Sequence, residues 1–241
     1  MQELILAGKL KENIQKFIQG LISIYRDDLV SVILYGSGAS GEFIESYSNL
    51  NILVVLRNTG LENLKAVSDL VNKFKVITPL FFTENYINTS AGIFPIEFLD
   101  MQENYFVLYG KDVLKDIKID IKNLRFQCEH ELKGKLIDLK QAYLTKRRDR
   151  AVLQGLLFKT FTSVLHILRN VLRLKGRKNP PYRKEDILED ISSEFQLDLK
   201  IWGEIWAAKN KKIKLSRLDV EDLFVDFVNE LEKIADSTAA F

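Results

Sequence analysis

A short run of small and polar residues carries the groups of this 241-residue chain that are best suited to phosphate chemistry. Gly36-Ser37 follow an apolar run over residues 30–35, and Asn49 and Asn51 open a second apolar run over residues 52–56. Alternate residues of a strand point to the same face, so the two asparagines share one side. Carboxylates at these positions would hold a divalent cation against a phosphate bound at the Gly-Ser turn. Here both are amides.

The residues after Gly36 are small enough to let the backbone approach an anion closely. Gly38 and Gly41 have no side chain to block that approach, and Ser37 and Ser40 add hydroxyl groups. Backbone N–H groups at such a turn, and at the start of a helix that follows it, bind terminal phosphates. We therefore predict that Gly36, Ser37, Ser40, Asn49 and Asn51 contact a nucleotide or phosphate.

The arrangement resembles the polymerase-beta-type nucleotidyltransferase superfamily, in which a strand, Gly-Ser, a spacer and Asp-x-Asp at the next strand follow in order. Eleven residues separate Ser37 from Asn49, which fits that spacing. Ser40 stands where active members often carry a basic residue, and Asn49 and Asn51 stand in place of the paired metal ligands. The chain is similar to a bacterial group of this superfamily with Asn-x-Asn and a C-terminal helical bundle.

The resemblance also implies a third carboxylate on a later strand. Residues 94–101 are rich in aromatic and branched side chains and are predicted to be that strand, with Glu97 as the metal ligand or catalytic base of an active enzyme. An amide keeps the oxygen of a carboxylate but loses its charge, so Mg²⁺ or Mn²⁺ is expected only if the protein is active. Glu42 and Glu45 lie in the intervening loop and could substitute as ligands.

The elements that must position these residues form an α-β-β-α-β-β order. Amphipathic helices are predicted over residues 9–26 and 61–74, and strands over residues 30–35, 52–56, 78–82 and 94–101, with a further short strand or a turn over 106–109. The fold class is therefore α+β: a nucleotidyltransferase-type mixed sheet with flanking helices over residues 1–118. Ser37, Asn49, Asn51 and Glu97 are expected to line a cleft beside the second domain.

From residue 119 the apolar pattern becomes helical and predicts an all-α bundle domain over residues 119–241. Helices are expected over residues 121–143, 153–172, 184–195 and 220–234, with a break over residues 176–182 that contains Pro180-Pro181. Residues 1–118 hold 11 Lys/Arg and 14 Asp/Glu, whereas residues 119–241 hold 24 and 19. Affinity for polyanions is thus expected in the second domain.

The cysteine content and the lengths of the apolar runs indicate the cellular compartment that we expect for the protein. A single cysteine, Cys128, excludes an intramolecular disulfide and suits a reducing compartment. The first residues lack a basic region followed by a long apolar core, and no uninterrupted apolar run is long enough to span a bilayer. We expect a cytoplasmic protein without a membrane partner. The oligomeric state is open, and a homodimer is compatible with the sequence.

Basic residues gather in three clusters of the second domain: residues 146–150, 169–184 and 209–217. If they converge they could bind nucleic acid through phosphate contacts. Arg125 and His130 have the Arg-x4-His spacing of HEPN ribonucleases, although a five-residue step on a helix turns the second side chain well away from the first.

Three functions stay open. The residues favour a nucleotidyltransferase-fold protein with a degenerate metal site, which binds a nucleotide or partner without catalysis. The first alternative is an active metal-dependent enzyme that moves a nucleotidyl group from a nucleoside triphosphate to a hydroxyl acceptor. The second is a nucleic-acid-binding or toxin–antitoxin-type module. The sequence specifies neither the base nor the acceptor.

Overall fold

A computed structural model describes residues 8–40, 49–178, 180–181 and 183–238. These fall into two compact units, one ending at Ile119 and the other beginning at Asp120. The elements of the N-terminal unit are, in chain order, α1 (Gly8–Tyr25), β1 (Leu29–Tyr35), α2 (Ser37–Ser40), β2 (Leu50–Leu56), α3 (Leu61–Lys73), β3 (Ile77–Phe82), α4 (Glu84–Ser90), α5 (Pro95–Glu103) and β4 (Tyr105–Gly110).

The four strands form one mixed sheet in the order β3-β2-β1-β4. Strand β1 pairs antiparallel with both β2 and β4, whereas β2 pairs parallel with β3. The central strand β2 is buried almost along its length because both faces of the sheet are covered. The sequence prediction of a mixed sheet with flanking helices is confirmed.

Alternation along β2 divides the core between the two faces of the sheet. On one face Ile52 and Val54 pack with α1 and α3, and on the other Leu53 and Val55 pack with α4 and α5. Helix α1 buries its apolar residues at helical spacing against the first face: Leu10, Ile14, Phe17, Leu21 and Tyr25. Asn51 therefore belongs to the face that α4 and α5 cover.

The segment over residues 94–101 is a helix, so the predicted strand there is wrong. Pro95 occupies the first helical position of α5, where its missing N–H costs nothing, and Glu97 lies in the first turn, where a carboxylate is favourable. The aromatic and branched composition suggested a strand, but Phe98 and Met101 are buried at helical spacing. Helix α4, which begins after the capping residue Thr83, was not predicted.

The C-terminal unit consists of helices: α6 (Ile121–Lys146), α7 (Arg150–Leu174), α8 (Lys184–Phe195), α9 (Leu199–Lys209) and α10 (Arg217–Thr238). Asp120, Asp149 and Asp198 cap α6, α7 and α9 by accepting hydrogen bonds from backbone N–H groups. Helix α9 was not predicted, and its Trp202 lies fully buried between Phe161 of α7 and Phe227 of α10.

Helix α7 is long and apolar enough, by length and composition alone, to cross a membrane. Such a helix is weak evidence for a span, because the core helix of a globular unit passes the same test. Here α7 contacts all four other helices of its unit, and Leu157, Phe161 and Val164 are fully buried there.

The end of β4 requires a glycine. Gly110 pairs with Ser31 of β1 at a φ of +73°, and a Cβ there would lie 2.1 Å from the carbonyl oxygen of Val30. We predict that Gly110→Ala lowers the free energy of unfolding by at least about 2 kcal/mol. The matched control Gly155→Ala, in α7 where an added Cβ meets nothing within 4 Å, should instead raise it by roughly 0.5–1 kcal/mol. Urea unfolding followed by circular dichroism measures both, and equal transitions for Gly110→Ala and the parent would contradict the β1–β4 register.

Candidate functional site

The turn after β1 is built around Gly36. Its φ of +71° is left-handed, and its N–H donates to the carbonyl oxygen of Asn104 at 3.2 Å. Its carbonyl oxygen accepts from the N–H groups of Ala39 and Ser40 at 2.9 and 3.0 Å, which closes the short helix α2. The first N–H groups of a helix have no intrahelical acceptor, so those of Ser37 and Gly38 are the ones suited to an anion.

Strand β2 brings Asn51 directly under this turn. A Cβ added to Gly36 would lie 3.2 Å from Nδ2 of Asn51, so a larger residue there would require the Asn51 side chain to move by a few tenths of an ångström. Gly38 is similarly confined by Leu50 at 3.1 Å and Leu34 at 3.3 Å. The sequence folds this way because β1 and β2 are adjacent antiparallel strands in which Tyr35 pairs with Asn51.

Asn51 belongs to a row of polar side chains that lie side by side on the four paired strands. Thr78 of β3 pairs with Asn51, Asn51 with Tyr35 of β1, and Tyr35 with Tyr105 of β4. Directly paired residues point to the same face of a sheet. We call Thr78, Asn51, Tyr35 and Tyr105 the polar row; it lies on the face that α4 and α5 cover.

Both tyrosines of the polar row are hydrogen-bonding groups rather than bases. Burial raises the pKa of Tyr35 to about 12. Burial, followed by a hydrogen bond to Asp112 and the charges of Asp112 and Asp116, raises the pKa of Tyr105 to about 12. The Tyr105 hydroxyl donates to Oδ2 of Asp112 at 3.0 Å. Both phenols therefore keep their protons at neutral pH.

The residues predicted from sequence are only partly brought together. Gly36, Ser37 and Ser40 lie in one turn beside Asn51, and the Ser40 hydroxyl donates to the carbonyl oxygen of Ser37 at 3.4 Å. Asn49 is exposed immediately before β2. Glu42 and Glu45 lie outside the described residues.

Glu97 is not on a strand of this sheet. It lies exposed in the first turn of α5, because Pro95 starts a helix where the sequence suggested a strand. The position on β3 that faces Asn51 is held by Thr78, which sequence reasoning missed. Only the register of the parallel β2–β3 pair identifies it, and that register comes from strands separated by helix α3.

The donor set of the polar row does not fit a divalent metal centre. Its groups are one amide, one alcohol and two protonated phenols, whereas Mg²⁺ and Mn²⁺ favour carboxylate oxygens. Among the described residues, no three Asp, Glu, His or Cys side chains are grouped so that they could hold a metal ion. The row offers hydrogen bonds of both polarities but no general base.

Comparison with solved structures gives the fold. The chain is similar to spectinomycin adenyltransferase AAD(9) from Enterococcus faecialis, solved with ATP and spectinomycin, with a TM-score of 0.60 over 92% of this chain and 99% of that one. The protein has a nucleotidyltransferase fold followed by a helical region. At 12% identity the likeness shows the fold alone. No protein-family model matches the sequence, and no curated protein matches it.

The missing charges can be restored as a test of the site. In the triple variant Asn49→Asp, Asn51→Asp, Thr78→Asp, three carboxylates would crowd one end of β2 and β3 and lower stability without metal. We predict that Mn²⁺ raises the melting temperature of this variant by several degrees and hardly changes that of the parent, because a ligand that binds only the folded state stabilises it. Thermal unfolding with Mn²⁺ and with a chelator measures this.

Glu97 provides the control for the restoration experiment. Because Glu97 lies on α5 rather than in the polar row, adding Glu97→Gln to the triple variant should leave its response to Mn²⁺ unchanged. A response that disappears with Glu97→Gln, and persists when Thr78 is left unaltered, would instead show that Glu97 is the third ligand.

Proposed function

We propose that the N-terminal unit is a nucleotide-binding module that has lost metal-dependent nucleotidyl transfer. The observation that carries the proposal is the pairing of Asn51 with Thr78 beside the Gly36 turn, where neither side chain bears a charge. AAD(9), which is similar in fold at 12% identity, was solved with ATP and spectinomycin, and this supports a nucleotide as the ligand proposed here.

The loss of charge is large enough to argue against catalysis. At an effective dielectric constant of about 20, a carboxylate near ~4 Å stabilises each unit of cation charge by on the order of 4 kcal/mol. With Asn49 and Asn51 in place of two carboxylates, most of that stabilisation is absent. Phosphoryl transfer depends on metals that position the phosphates and neutralise the charge developed in the transition state. The described residues of the site supply no replacement.

Binding of a nucleotide does not require those carboxylates. The turn can present backbone N–H groups of Ser37 and Gly38, and the Asn51 amide can both donate and accept. Because Asn51 and Thr78 are uncharged, they also do not exert the repulsion that carboxylates exert on phosphates in the absence of metal. Residues 27–56 contain no Lys or Arg, so a modest affinity is expected.

An active transferase is the first alternative. In that case Glu97 would be a metal ligand or base and Ser37 would hold phosphate, with Glu42 or Glu45 as substitute ligands. The exposed position of Glu97 on α5 does not favour this assignment. Such an enzyme would bind nucleotide much more strongly with Mg²⁺ or Mn²⁺ and would release pyrophosphate when given an acceptor.

Nucleic-acid binding by the C-terminal unit is the second alternative. Much of its basic charge has partners within the unit: Arg147 pairs with Glu221 at 3.4 Å, and Arg177 with Asp190 at 2.9 Å. Arg169 is buried, and its guanidinium donates to the carbonyl oxygens of Pro180 and Pro181, both at 3.0 Å. These contacts reduce the charge available for phosphates.

Isothermal titration with each nucleoside triphosphate, with Mg²⁺ and with a chelator, tests the proposal. We expect the same affinity in both conditions for the parent protein. Asn51→Leu keeps the side-chain volume but removes the hydrogen bonds, and it should weaken binding at least about tenfold, the equivalent of ~1.4 kcal/mol. The matched control Asn72→Leu, exposed on α3 at the opposite face of the sheet, should bind like the parent.

Two results would contradict the proposal. Binding that depends on Mg²⁺, accompanied by release of pyrophosphate, would show an active transferase. Absence of binding to all four nucleotides would show that the turn and Asn51 do not form a nucleotide site.

A further inference from the structure

The polar row continues into an apolar surface along the edge strand β3. Alternation places Leu80 and Phe82 on the same face as Thr78, and their partners on β2, Leu53 and Val55, belong to the core cluster on that face. Thr78 is exposed, Leu80 is 36% exposed, and Phe82 is half-buried. The face that α4 and α5 cover is therefore accessible along β3, next to the proposed nucleotide site.

Helix α4 adds an aromatic side chain to this surface. Tyr86, which is 43% exposed, stacks on Phe82 with the ring centroids 4.6 Å apart and an interplanar angle of 30°. We call Leu80, Phe82 and Tyr86 the β3 strip. The strip itself carries no charge, and Glu84, which lies close to it in the chain, pairs with Lys111. A flat, uncharged group such as a nucleobase can pack on such a surface through its π-face.

The opposite edge of the sheet also exposes an apolar side chain, but a carboxylate lies beside it. Val107 of β4 is 38% exposed and pairs with Ile33, which belongs to the core cluster on the face of the polar row. Asp112 accepts a hydrogen bond from the Tyr105 hydroxyl at 3.0 Å, at the β4 end of the row. A carboxylate repels the phosphates of a nucleotide. The charge therefore favours a nucleotide that extends from the Gly36 turn towards β3 and not towards β4.

The distances within the sheet match the length of a nucleoside triphosphate. Gly36 lies one residue beyond the polar row on β1, and Leu80 lies two residues from the row in the opposite direction on β3. Two strand spacings of about 4.8 Å and three residues of about 3.3 Å each give a diagonal on the order of 14 Å. The bonds from the terminal phosphate of an extended nucleotide to its base can span that length. Asn51 and Thr78 lie between the two ends, where their side chains can hydrogen-bond the ribose.

We propose that the β3 strip binds the base of the nucleotide, with the phosphates at the Gly36 turn and the ribose beside Asn51 and Thr78. This inference rests on the proposed function and adds to it a place for the base. Because the strip presents mainly apolar and aromatic surface, it contacts the π-face of a base and does not read its hydrogen-bonding edge. The four nucleoside triphosphates should therefore bind with affinities within about tenfold of one another, and purines should bind more tightly because they bury more apolar surface.

Isothermal titration with ATP and with inorganic tripolyphosphate, both with a chelator, separates the contacts of the base from those of the phosphates. Leu80→Ser removes apolar surface without adding charge, so it should weaken the binding of ATP about tenfold and leave that of tripolyphosphate unchanged. Leu80→Trp enlarges the stacking surface and should tighten ATP binding severalfold, again without effect on tripolyphosphate. The matched control is Val107→Ser, on the same face and similarly exposed but on the opposite edge strand. It should bind both ligands like the parent.

Three results would overturn this inference while leaving the phosphate site of the proposed function in place. They are an unchanged affinity of both Leu80 variants for ATP, an equal loss of ATP and tripolyphosphate binding in Leu80→Ser, and an equal loss of ATP binding in Val107→Ser. A parent protein that binds neither ATP nor tripolyphosphate would instead contradict the proposed function, and the inference would fall with it.

Discussion

The register of strand β2 between its two neighbours is the constraint on which the candidate site depends. Pairing with β1 sets Asn51 beside Tyr35 and under the Gly36 turn, and pairing with β3 sets it beside Thr78. A slip of one residue would move Asn51 to the face of α1 and α3 and bring Leu50 or Ile52 into the site. That slip is disfavoured because it would bury the Asn51 amide among the apolar residues that pack with α1 and α3.

The same packing makes the stability of the fold independent of the charge of the side chains at the Gly36 turn. The sheet positions the left-handed Gly36 and the short helix α2, and apolar packing on both faces of β2 stabilises the sheet. Amides at positions 49 and 51 are compatible with this scaffold, because its packing is apolar.

Sequence reasoning succeeded where local pattern decides the structure. The buried strands around the Gly-Ser turn, the amphipathic α1 and α3, and the long helices α6, α7 and α10 all carry periodic apolar residues that predict them directly. It failed at residues 94–101, where strand-like composition outweighed the helix-starting Pro95, so the segment predicted to carry Glu97 on a strand is a helix. Thr78 could not be identified, because its place beside Asn51 results from long-range parallel pairing and not from any local motif.

The central claim is that the Gly36 turn and the polar row do not hold a divalent cation. Electron paramagnetic resonance of Mn²⁺ measures this directly, because the signal of free aqueous Mn²⁺ falls as the ion is bound. When the unmodified protein is titrated into Mn²⁺ without nucleotide, the free signal should stay unchanged up to equimolar protein. A stoichiometric loss of the free signal, reversed by an excess of Mg²⁺, would show a functional metal centre and would contradict the account.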